Sequence, residues 1–420
     1  MARLLHLGLA GAVLALFVSS NFLKLASLAA CAAYAWWPRD GFPAALAQWR
    51  ATWRRPRIEW LLWLPVVLGL SRLPGHGLAN GLRDLAFFLI PPVYFATGRR
   101  LQREGVDPQA LLFRYAWIYD GLFLAGVAYQ WLRLGTIDVQ IVRDFVSPGS
   151  FLLVLAVFLL VRGRESWAAL VRTPLLVVSV LVLASQASRT YALALAGLLL
   201  MPGGHRVSAR LAARAGLAVA VAAGAIVLLG DAGELSDLVA RTVAEVAIGD
   251  TWTAEDLGTR YRAFESFAAL ATFLSFTPLQ TLLGAGFGSL VELGVTVELA
   301  GTEYDVVPWI HNGYLYVLTK TGVVGLASYL AFFGRLLTGR YPESATFGPA
   351  IVRGTILGLL LSNLVVAGWF NIESVFAFVV LGYMAAVRVQ RPRPAPAHAS
   401  GNLPDGPLDH AALAREGDAA

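Results

Sequence analysis

The sequence predicts an all-α fold, a polytopic transmembrane helical bundle of about twelve spans with one large loop on the outer side. Three observations predict it. Of the 420 residues, 57% are hydrophobic and 14% charged, and the mean hydropathy is +0.64; soluble domains carry about 25% charge. Apolar runs of spanning length recur along nearly the whole chain. Those runs, such as 151–161 and 217–229, are unbroken. Barrel strands would alternate with period two, so helices are expected.

The expected spans are 4–20, 22–37, 58–73, 81–97, 111–134, 147–161, 175–188, 190–201, 215–230, 312–333, 349–367 and 371–387. Their connections alternate in charge. Arg39, Arg50, Arg54, Arg55 and Arg57 fall in one loop, and Arg99, Arg100 and Arg103 in another. Arg162, Arg164 and Arg172, then Arg206, Arg210 and Arg214, then Arg335 and Arg340 follow the same pattern. Loop 74–80 has no basic residue, and 135–148 has only Arg143. Positive charge stays in the cytoplasm, so both termini are expected inside. Splitting 175–201 near Ser188–Arg189 keeps that parity. The formal charge of +6 and the pI of 9.6 therefore reflect loop arginines and not nucleic-acid binding. The one cysteine, Cys31, excludes an internal disulfide and a cysteine-based zinc site.

The expected divisions are an N-terminal bundle at 1–230, a periplasmic loop at 231–311, C-terminal helices at 312–388 and a disordered tail at 389–420. An acidic loop of this length is uncommon unless it is structured or functional. Tyr261, Phe264, Phe267, Ala268, Ala271 and Leu274 recur at helical spacing, which predicts an amphipathic helix on the membrane surface or over the bundle.

Four positively charged or titratable residues gather on the outer side. Arg189, after Ser188, stands between two apolar runs, where charge is costly; it either serves function or snorkels to headgroups. Arg260 and Arg262 open the amphipathic helix, and Glu265 follows three residues after Arg262. Two positions on a helix are about 200° apart, so both arginines cannot share a face, and a solvated Arg262–Glu265 pair is the plain alternative. Gly284–Ala285–Gly286–Phe287–Gly288 has the wrong spacing for a dinucleotide fingerprint; it reads as a tight turn admitting a ligand or a helix. His311 lies at an outer boundary with Asn312 as a helix N-cap. Its imidazole could take a proton from a hydroxyl, and no second histidine stands at metal spacing. Arginine forks bind phosphate well, so a diphosphate leaving group paired with a histidine-activated hydroxyl fits this set.

The run His311–Asn312–Gly313–Tyr314–Leu315, with Gly322 and Gly325 downstream, resembles the hallmark of the bacterial O-antigen ligase and Wzy-type O-antigen polymerase superfamily. Ser188–Arg189 resembles a second motif, and Arg260–Tyr261–Arg262 with the later glycine-rich turn resembles a third, all in the family's order. The resemblance implies transfer of an undecaprenyl-diphosphate-linked glycan to an acceptor hydroxyl at the periplasmic face, without metal or cofactor. The acceptor would be lipid A–core for a ligase or a second lipid-linked repeat unit for a polymerase. Carried over, Arg189, Arg260 and Arg262 would hold the diphosphate and His311 would activate the acceptor, with Ser188, Glu265 and Asn312 in support. A flippase-like transporter is the alternative; it would show internal repeats and charges deep within several spans.

Overall fold

The computed structural model describes residues 2–17, 21–37, 58–73, 77–135, 151–162, 169–185, 191, 194–195, 198, 252, 260–299, 302–342, 347–365 and 367–387. Met1–Arg388 forms one compact unit, and the expected tail, Val389–Ala420, lies outside the described residues. The expected span 215–230 and most of 190–201 also lie outside them.

The protein is predominantly helical. In chain order the helices are α1 (Ala2–Phe17), α2 (Asn21–Trp36), α3 (Trp60–Leu70), α4 (Leu78–Arg103), α5 (Pro108–Leu134), α6 (Phe151–Arg162) and α7 (Ala169–Ser185). After these come α8 (Tyr261–Leu274), α9 (Pro278–Leu283), α10 (Gly313–Leu337), α11 (Gly348–Val365) and α12 (Val375–Val387). Two of them, α5 and α10, are long and apolar enough to cross a membrane; the other apolar helices are shorter or more charged. Helix limits follow local chemistry. Asp107 caps α5 by accepting from the Gln109 N–H at 2.9 Å, Pro108 takes the first position, and Gly135 closes the helix in the left-handed region.

The all-α expectation needs one correction. Val291–Leu299 and Thr302–Val307 are strands β1 and β2, an antiparallel hairpin with an irregular register between Glu292 and Val297. Val291, Leu293 and Val297 are buried, while Glu292, Thr296 and Glu298 are exposed. That alternation is a strand pattern, and it lies in the loop where amphipathic helices are the expected structure.

The core of the bundle is α4 wrapped by α12, α2, α3 and the first 3-10 turn after α11 (Gly368–Phe370). The α4–α12 contact is backbone on backbone: a Cβ added at Gly98 would strike the Val379 carbonyl oxygen, and one at Gly382 would strike that of Phe95. Close approach of this kind maximises dispersion contacts between helices. Phe88 of α4 stacks on Phe370 at 4.4 Å and meets Phe287 at a tilt, 4.8 Å away; Tyr329 of α10 stacks on Trp369 at 5.3 Å. The last turn of α4 carries its own neutralisation. Arg99 pairs with Glu59, Arg100 pairs with Glu104 at 2.8 Å, and the Tyr34 hydroxyl donates to Glu104 at 2.8 Å. Large apolar side chains such as Phe22, Leu7, Val67 and Leu132 face outward.

The helix contact gives a prediction. Gly98→Leu forces a side chain into the Val379 backbone, so the folded bundle should lose about 1–3 kcal/mol or more. The loss is read as a lowered melting temperature in detergent, and Gly382→Leu should behave alike.

Candidate functional site at the head of α10

Helix α10 starts where its sequence provides a cap. The Asn312 side chain accepts from the N–H groups of Tyr314 at 3.1 Å and Leu315 at 3.2 Å. Gly313 lies so close to Asn363 of α11 that any side chain there would collide with it. His311 is therefore held one residue before a fixed helix start.

Glu265 comes to His311 from α8. Its side chain is 2% exposed, and a buried carboxylate needs donors. Both come from His311: the backbone N–H at 2.7 Å and the ring Nδ1 at 2.8 Å, onto the same Oε2. An ionised carboxylate only accepts, so Nδ1 carries the hydrogen and Nε2 keeps the free lone pair. The His311 side chain is 34% exposed. Tyr261 sets its ring edge-on to the imidazole, 6.5 Å away at 87°. Burial first, and then the charges of Glu265 and Tyr304, push the Tyr261 hydroxyl well above the ordinary phenol range. It stays a neutral donor at physiological pH. Glu265 is thus no member of a solvated surface pair, as the plain alternative would have it; its partner is the histidine.

Arg260 is the N-cap of α8 and lies outside the helix proper, with its guanidinium over the Trp252 ring at 5.5 Å. Trp252 in turn packs on Phe264 at 5.4 Å and Phe267 at 5.9 Å. Arg262 is half-buried in the first turn. The two arginines flank Tyr261, and so both stand at the end of α8 that meets His311. The helix matches its expected range, but its buried face differs. Ala263, Phe264, Glu265, Ser266, Ala268 and Ala269 are buried, whereas Leu274 is exposed. Helix α8 packs on β1 and α10, so its inner face rests on protein.

The glycine-rich turn engages a helix. Helix α10 is broken at Gly322, whose φ of 66° is left-handed. At that break the Ala285 N–H donates to the Thr319 carbonyl at 2.9 Å, and the Gly286 N–H donates to that of Lys320 at 3.0 Å. Gly284, at φ 81°, lies against the same backbone, where a Cβ would collide with Lys320 and Thr321. Buried backbone freed from its helix needs such internal partners. The Phe287 N–H goes on to the Gly69 carbonyl of α3 at 3.0 Å.

Beneath this turn is a charge cluster that the span assignment passed over. Asp84 of α4 is fully buried and Lys320 is 1% exposed, and they pair at 2.9 Å. Asp84 also accepts from the Tyr316 hydroxyl at 2.6 Å and the Gly288 N–H at 2.8 Å, while Lys320 donates to the Ser289 carbonyl. The signal was available as charges inside spans 81–97 and 312–333. Ser188 and Arg189 lie outside the described residues. Tyr191, two residues on, bonds to Glu373 in the second 3-10 turn (Ile372–Ser374) between α11 and α12. Among the described residues no group of three or more His, Cys, Asp or Glu could hold a metal ion.

The buried pair should behave as a unit. Asp84→Asn or Lys320→Met alone strands the other charge and should cost about 3–5 kcal/mol. The double substitution should recover most of that loss in a denaturation series, giving a strongly non-additive double-mutant cycle.

No family model, no curated protein and no solved structure matches this chain.

Proposed function

We propose that the protein is a multi-pass inner-membrane glycosyltransferase. In this reading it moves a glycan from undecaprenyl diphosphate to an acceptor hydroxyl at the periplasmic face. The observation that carries the proposal is the Glu265–His311 pair at the head of α10, beside the arginine-flanked start of α8. Glu265 fixes the tautomer and would stabilise the imidazolium that forms on proton uptake, a role known for a carboxylate behind a histidine base. His311 Nε2 accepts the acceptor's proton as its oxygen attacks the anomeric carbon. The bond from that carbon to the diphosphate oxygen breaks, and undecaprenyl diphosphate leaves with the electron pair. Arg189, Arg260 and Arg262 offset the charge that develops on it; electrostatic stabilisation of this kind is usually the largest catalytic term.

The membrane setting completes the proposal. About twelve spans put both termini in the cytoplasm and 231–310 outside. The apolar side chains facing outward from α1, α2, α3 and α5 suit lipid contact better than water. The acceptor is lipid A–core if the enzyme is a ligase, or a second lipid-linked repeat unit if it is a polymerase.

Two experiments test this. A reporter fused after Gly249 should read periplasmic, and a cytoplasmic signal would overturn the topology. In a transfer assay with a lipid-diphosphate glycan, His311→Ala should bind donor but not transfer it. Glu265→Gln keeps a hydrogen-bond acceptor but loses the charge, so its turnover should fall about 10²-fold or more while donor binding stays. Full turnover by either variant would remove the general-base role.

A further inference from the structure

Arg83 sits in the second turn of α4, next in sequence to Asp84. It is half-buried, and its Nε and Nη2 are both buried with no hydrogen-bond partner among the described residues. Orphaned guanidinium nitrogens are costly, because each gave up a water on folding. At the opposite end of the same helix Arg99, which also has an orphaned Nε, and Arg100 each hold a carboxylate, whereas Arg83 lacks one among the described residues.

The carboxylate next to Arg83 in sequence is already committed. Asp84 Oδ1 takes the Tyr316 hydroxyl, and Oδ2 takes Lys320 and the Gly288 N–H. Lys320 lies within electrostatic reach of Arg83, so two positive charges share the one negative charge of Asp84. Among the described residues no carboxylate pairs with Arg83, and a partly buried guanidinium without a counterion favours an incoming anion.

Its position says which anion. Arg83 and Phe87 are four apart and share a face of α4. The Phe87 ring meets Trp309 edge-on at 4.5 Å, and Trp309 lies two residues before His311. Trp309 also packs on Tyr316 at 4.8 Å. Arg83 is therefore one helical turn toward the start of α4 from the aromatic contact that supports the His311 segment.

We propose that Arg83 is a phosphate-binding residue that accepts a lipid-borne phosphate oxyanion beside the His311 site. Its fork can engage two phosphate oxygens, which an ammonium cannot. This rests on the glycosyltransferase reading for one of its two phosphate sources, the donor's diphosphate; the other is the headgroup of a bilayer phospholipid.

The test is binding of undecaprenyl diphosphate and, separately, phosphatidylglycerol to the full-length protein in detergent by native mass spectrometry. Wild type, Arg83→Lys and Arg83→Gln are compared, each first shown to keep the wild-type melting temperature. If the diphosphate is the source, Arg83→Gln should bind undecaprenyl diphosphate roughly ten- to a hundredfold more weakly, and Arg83→Lys should fall between. Phosphatidylglycerol binding should then be unaffected. An Arg83-dependent loss confined to phosphatidylglycerol supports the phosphate site with a headgroup as its source. Wild-type protein that fails to bind undecaprenyl diphosphate at all counts against the glycosyltransferase reading, not against Arg83. Equal binding of both lipids by wild type and Arg83→Gln overturns the proposal.

Discussion

The burial of the Asp84 carboxylate constrains everything around it. A charge with no exposure can exist in this bundle only if every neighbour contributes a donor. Those donors come from separate parts of the chain: Tyr316 and Lys320 on α10, and Gly288 in the turn after α9. None can shift without stranding the carboxylate, so α4, α10 and the turn are locked in one arrangement. The lock extends upward. Lys320 stands two residues before the Gly322 break, and the turn that supplies Gly288 also fills the break through Ala285 and Gly286. The first half of α10 is thereby fixed in angle, and with it the Asn312 cap and His311.

Two buried carboxylates thus do different work. Asp84 is saturated by donors that have no further chemistry to offer. Glu265 spends one oxygen on two nitrogens of a single residue, orienting a ring whose other nitrogen remains unbonded among the described residues. The difference lies in the partner. Tyr316 and Lys320 are buried with Asp84, whereas a third of the His311 side chain reaches solvent. A rigid floor therefore lies under a partly open histidine.

Much of this was legible in the sequence wherever a single periodicity or cap decided the structure. The 3.6-residue repeat from Tyr261 to Leu274 gives α8, and Asn312 before Gly313 gives the start of α10. Two kinds of feature escaped. The hairpin escaped because its alternating run, Val291 to Leu299, sits in a loop read under a helical expectation, although the period-two pattern is visible. The Asp84–Lys320 pair escaped because no local pattern links a charge in one span to its partner in another. Only the fold shows that the two oppose each other 236 positions apart. Glu265 was noticed, but helix spacing pointed to Arg262 as its partner. The contact with His311 depends on how α8 docks, which no local pattern encodes.

The break in α10 bears on the transporter alternative. In transporters a discontinuous helix exposes carbonyls and helix ends that take the substrate or coupling ion near the middle of the bilayer. Here the Thr319 and Lys320 carbonyls are taken by main-chain N–H groups of the protein's own turn, and Lys320 is neutralised by Asp84. The discontinuity is sealed and offers no ligand site of its own. At the head of the same helix stands His311, a third of its side chain exposed, beside the start of α8. A break closed by the chain's own backbone lacks the open carbonyls that a discontinuous transport helix presents.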